Sequence, residues 1–230
     1  MDENIEEEQT TIKEFDKPIP SNSKRLQSHL NGITKVTGVQ HRLSESFVSL
    51  FLNNFWDFPL SSEEALSTSN WTHHVYFCIR STAKNLSLAC TFETMGRFDA
   101  IIDTLDYPGV VLVAEWESNA NSVFGKGGEL DKLWKGANQF ENADAFLLTY
   151  CPIESLMEFT KKVVKFWQSQ KSKRNSPPSL FLIIVVTKRN SSNNEFVFIR
   201  TQEIRNSALY LWHDIGLVTN NEYLDLVSKL

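Results

Sequence analysis

Three carboxylates stand out in the stretch from Arg97 to Ser118, RFDAIIDTLDYPGVVLVAEWES: Asp99, Glu115 and Glu117. The stretch reads as two apolar strands joined by a Pro-Gly loop. Acids gathered in an apolar strand pair repel one another unless something cationic sits between them. A divalent metal ion is the usual answer, and it points towards phosphodiester chemistry.

Residues two apart on a strand share a face, so Glu115 and Glu117 project together, about 6.7 Å apart. Val111 and Val113 are their expected face-mates, and Asp99 shares its face with Ile101 and Asp103. Register decides whether the acids of the two strands meet. A loop over Leu105–Gly109, centred on Tyr107, sets Asp99 directly opposite Glu115, with Cβ atoms about 4.5–5.5 Å apart. A two-residue Pro108-Gly109 loop turns Asp99 to the face opposite both glutamates. Pro-Gly prefers an unprimed type II turn, which splays hairpin strands, so the longer loop is expected. A hairpin with one solvated acidic face is the plain alternative. Against it, the acids bunch at the end away from the loop, on a face that also carries valines.

Other elements must hold this hairpin in place. Leu43, Phe47, Leu50, Phe51 and Phe55 form one helical stripe. Pro59 and the SSEE after it mark a break and a new helix start. A helix is expected over about 71–84, capped by Ser69 or Asn70. Its His73 and His74 are adjacent, point apart and read as surface residues. Period-two alternation gives a strand over 86–93, a turn at Thr94-Met95-Gly96, and strands over 97–103 and 110–117. A helix over 128–139 follows, with Glu129 and Asp131 in its first turn as dipole partners and Leu130, Leu133, Trp134 and Ala137 as its buried stripe. A strand (145–150), an amphipathic helix (153–169), the continuously apolar strand Leu180–Val186 and a strand over 195–201 complete the pattern, with a helical C-terminus expected. The order predicts an α/β protein with a mixed central sheet flanked by helices.

Composition sets outer bounds. The 230 residues are 41% hydrophobic, with 16 Phe and 6 Trp, which is globular composition. The net charge of −5 comes from the start of the chain: residues 1–17 hold seven acids and two bases, leaving 21 of each elsewhere. Residues 1–20 read as an acidic disordered tail, 21–40 as a basic linker or arm, and 41–230 as a single domain. Cys78, Cys90 and Cys151 lack zinc or disulfide-framework spacing. No signal peptide or membrane span is legible, so a soluble cytoplasmic protein is expected.

The joint pattern of FD at 98–99, EWE at 115–117 and α-β-β-β-α-β order resembles the PD-(D/E)xK nuclease superfamily, over roughly residues 41–187. The resemblance implies a restriction-endonuclease-like core. It also implies a Mg²⁺-dependent endodeoxyribonuclease, with Mn²⁺ able to substitute, acting on nucleic acid, most simply DNA. Asp99, Glu115, the Trp116 carbonyl and Glu117 would serve the metal. Glu117 stands where the family usually has lysine, as it does in a minority of its restriction enzymes. Others move the lysine to the following helix, where Lys132 and Lys135 are available. Lys126, in the loop SNANSVFGKGG, and the basic loop residues Lys171, Lys173 and Arg174 are candidate phosphate contacts; each is equally a residue of a solvated surface. The competing reading is a catalytically inactive nucleic-acid-binding or assembly module on the same fold. A homodimer is left open.

Overall fold

The computed structural model describes residues 39–57, 68–94, 98–105, 109–174, 176–189 and 194–216. The expected acidic tail, nearly all of the basic arm, the helix start after Pro59, most of the turn after Thr94 and any helix beyond Gly216 lie outside these residues. The described elements run α1 (Val39–Asp57), α2 (Thr68–Asn85), β1 (Leu88–Thr94), β2 (Phe98–Thr104), β3 (Val110–Glu117), α3 (Glu129–Gln139) and β4 (Asp144–Pro152). A 3-10 turn (Ile153–Ser155), α4 (Leu156–Ser169), β5 (Leu180–Arg189), β6 (Asn194–Arg205) and β7 (Ala208–Gly216) follow.

The seven strands form one mixed sheet in sequential order. β1, β2 and β3 make an antiparallel meander, β3, β4 and β5 are parallel, and β6 and β7 return antiparallel. The parallel steps need crossover helices, which α3 and α4 supply. One face of the sheet packs on α3 and α4, through residues such as Leu133, Trp134, Leu147, Val163 and Leu182. The other packs on α1 and α2, through Phe47, Phe51, Ile79, Phe146 and Phe181. β5 is therefore buried on both sides, which explains the unbroken run Leu180–Val186. Among the described residues no helix is long and apolar enough to cross a membrane.

The hairpin register matches the longer loop. Ala100 pairs with Ala114, Ile101 with Val113 and Ile102 with Leu112. A bulge between Ile102 and Asp103 then shifts the ladder. Val111 falls at this irregularity and packs in the α1–α2 core, not beside Val113 as strict alternation would put it.

Two expectations are corrected. Ser69 and Asn70 lie inside the first turn of α2, which begins at Thr68, so neither is its cap. The helical C-terminus expected after the strand over 195–201 does not follow directly, since residues 208–216 form strand β7. The cause is the Asn206-Ser207 turn, where both residues have positive φ (49° and 64°), the geometry of a tight hairpin. Once that turn forms, the backbone of β7 pairs along β6 from Arg205–Ala208 to Phe198–Gly216.

Candidate metal centre

The last ladder pair of β2 with β3 is Ala100–Ala114. Beyond it the Trp116 N–H donates to Asp99 Oδ2 at 2.8 Å, so a side-chain carboxylate stands where a strand carbonyl would otherwise accept. In extended backbone the N–H and C=O of one residue point to the same edge, which turns the Trp116 carbonyl towards the Asp99 side.

Glu115 faces Asp99 across this opening. It is 1% exposed, and no donor among the described residues reaches its Oε1. The carboxyl of Asp99 contacts that of Glu115. So does Glu129, from the first turn of α3. Two carboxyls attract only if they share a proton or a cation. The cation present is Lys132, whose Nζ lies 2.6 Å from Glu129 Oε2 and 3.7 Å from Glu115 Oε2. Were all three acids ionised, one ammonium would leave the cluster two positive charges short.

The titration behaviour follows. Burial, then the contact with Glu129 and the charges of Asp99 and Glu129, push Glu115 far above the ordinary carboxylate range; Lys132 opposes this only in part. Burial also raises Asp99, against the opposing hydrogen bond from Trp116. Burial pulls Lys132 down, but its bond to Glu129 and the charges of Glu115, Glu129 and Asp99 outweigh that and hold it above the usual lysine value.

α3 sets the distance between lysine and carboxylates, and its seating depends on a glycine. A Cβ on Gly136 would lie 2.2 Å from the Phe98 ring, so only glycine lets α3 close onto the start of β2. Gly136 is one helical turn from Lys132, and Phe98 adjoins Asp99, so this contact fixes the two halves of the cluster. The loop before α3 is anchored rather than free. Val123 is fully buried, Phe124 meets Phe159 edge to face at 5.5 Å, and Leu130 N–H donates to the Val123 carbonyl.

The remaining candidates separate into near and far. Glu117 is held by the turn that follows it, where Oε1 accepts from Asn119 N–H (2.9 Å) and Ser118 Oγ (3.3 Å). Lys135 pairs with Asp131 at 2.7 Å on the exposed side of α3 and is not part of the cluster. Lys126 is exposed in the anchored loop, between Gly125 and Gly127, both of positive φ. Arg174 is committed to structure: its Nη1 donates to the carbonyls of Ala137 (2.9 Å) and Ala143 (2.6 Å). Ser172 bonds Asn138 near the C-terminal end of α3, so the loop with exposed Lys171 and Lys173 lies about 14 Å along the helix from Glu129. Among the described residues no set of three or more His, Cys, Asp and Glu side chains is arranged as a ready-made metal cage.

Glu129 is the site residue that strand patterning misses. Its signal in the sequence is a position three residues before Lys132 at a helix start, which reads equally as a dipole partner. The donors at hand (two or three carboxylates and a carbonyl, no sulfur or imidazole) suit a hard cation such as Mg²⁺ or Mn²⁺. The unpartnered Glu115 Oε1 and the charge deficit fit such an ion. No family model, no curated protein and no solved structure matches the chain.

Proposed function

We propose that this chain is a metal-dependent phosphodiesterase, an endonuclease acting most simply on DNA, on a restriction-endonuclease-like core. The observation that carries the reading is the buried Glu115 carboxyl opposed to Asp99: its Oε1 receives no hydrogen bond among the described residues, and its Oε2 lies 3.7 Å from the Lys132 ammonium. Buried acids in contact are costly to keep charged, and cation-assisted chemistry gives them a use.

Asp99, Glu115 and the Trp116 carbonyl would hold Mg²⁺, with Glu129 bonded to Lys132 beside them. When bound, such an ion lowers the pKa of a coordinated water and offsets charge growing on the phosphoryl oxygens. Asp99 is oriented for this by the Trp116 N–H, which leaves its second oxygen for the metal. Lys132 would supply, from α3, the fixed positive charge of the lysine that the family usually has where Glu117 stands. Lys126, exposed in the loop leading into α3, is the nearest candidate for a backbone phosphate. Glu117, held in its turn, has no role in this mechanism.

The test is cleavage of supercoiled plasmid, linear duplex and single strands, with and without Mg²⁺ or Mn²⁺. Asp99→Asn and Glu115→Gln should each lower metal-dependent cleavage by at least ~100-fold. Cleavage at the wild-type rate in both variants would exclude the assignment. Retained DNA binding without cleavage in either metal would favour the inactive module, for which Glu117 in the usual lysine position is the supporting feature.

A further inference from the structure

Lys132 makes two unequal contacts with acids. Its ammonium is hydrogen-bonded to Glu129 at 2.6 Å, whereas Glu115 lies at 3.7 Å, beyond a hydrogen bond and within Coulomb attraction. Glu129 and Lys132 sit three apart on one helix face, so Glu129 reaches Lys132 without help from the sheet. Glu115 is attached to β3, and α3 is seated against β2 by the Phe98–Gly136 contact. The ammonium is thus shared between a helix carboxylate that travels with it and a sheet carboxylate that does not.

Resting on the metal-dependent reading above, we infer that Lys132 is an internal counter-ion that competes with the divalent metal for Glu115, and that Glu129 is the positioning residue that draws it aside. Magnesium binds carboxylate oxygen at about 2.0–2.1 Å. An ion at that distance from Glu115 lies close to an ammonium only 3.7 Å from the same carboxylate, and the two cations repel. The metal-free protein uses Lys132 to offset a carboxylate that receives no hydrogen bond at Oε1. When metal arrives, Glu129 keeps the ammonium beside the site but off the ligand. Metal and lysine are therefore antagonistic, and Glu129 sets how far.

A double-mutant cycle on the full chain, read by Mn²⁺ calorimetry and by the rise in Tm on adding Mn²⁺, tests this. Lys132→Met should tighten Mn²⁺ by roughly tenfold, within the usual range for coupled sites, and enlarge the metal-induced rise in Tm. Glu129→Gln should weaken Mn²⁺ in the wild-type background, because Lys132 then rests on Glu115 alone. The same change should be nearly neutral in the Lys132→Met background. Equal weakening in both backgrounds would make Glu129 a direct ligand and overturn the inference, as would unchanged or weaker Mn²⁺ binding by Lys132→Met. Lys132→Gln repeats the comparison should Met pack poorly. These failures leave wild-type Mn²⁺ binding intact. Absence of Mn²⁺ binding by wild type and Lys132→Met alike would instead remove the metal-dependent reading itself, and this inference with it.

Discussion

A carboxylate that is 1% exposed and accepts nothing at one oxygen is costly in its charged form. Glu115 and Asp99 both bind their protons more tightly folded than unfolded, because burial penalises their charge. The stability they supply is complete below the ordinary carboxylate range and is lost as pH rises through their raised folded values. Tm in a chelator should therefore fall from about pH 4.5 to about pH 10, and more steeply for wild type than for Glu115→Gln. At pH 8 the glutamine variant should be more stable by ~1–3 kcal/mol, since its amide can donate to a neighbouring carboxylate without being charged. Adding Mg²⁺ should flatten the wild-type profile and leave that of the variant unchanged. Urea denaturation across pH, with and without metal, checks all three.

At the scale of elements, the site is a matter of how α3 sits on β2. The pairing of Gly136 with Phe98 leaves no space for one more carbon. Gly136→Ala should cost ~1–3 kcal/mol through overpacking, despite the better helix propensity of alanine. It should also tighten Mn²⁺ binding, since α3 must lift and carries the competing Lys132 away from Glu115. A surface substitution on the same helix, such as Lys135→Gln, removes a pair with Asp131 that is largely solvated and should change stability by under ~1 kcal/mol. Far from the site, Arg200 and Asp214 join β6 to β7 by a bidentate pair that is nearly buried. Asp214→Ala should cost ~3–5 kcal/mol by stranding the guanidinium, whereas replacing both partners by apolar residues should cost much less. Chemical denaturation of the single and double variants separates these outcomes.

Across the whole molecule, charge is distributed rather than concentrated. The acids and bases beyond residue 17 balance, so the proposed nucleic-acid substrate would be met by local lysines and not by a general field. Lys171 and Lys173 stand about 14 Å along α3 from Glu129, more than a Debye length at physiological ionic strength. Replacing both with Glu should leave cleavage within about twofold at that ionic strength, while Lys126→Glu should raise KM several-fold. Cleavage rates and fluorescence anisotropy on one duplex, taken at several salt concentrations, distinguish the two.

Much of the fold was legible because local patterns carried it. Alternation marked β2 and β3, the helical stripe of α3 is buried as read, and loop parity alone set Asp99 towards Glu115. These follow from periodicities of two and 3.6, which any short window of sequence displays. Tertiary structure decided the rest. It held Glu117 by the turn that follows it, tied Arg174 to backbone carbonyls, made a strand of residues 208–216, and brought Glu129 and Lys132 against the sheet acids. Each of these depends on where an element lands after a loop or crossover, and that is set by packing between residues far apart in the chain, such as Phe98 with Gly136. No local window contains that distance, so residue types could announce an acidic site but not which cation the protein itself would bring to it.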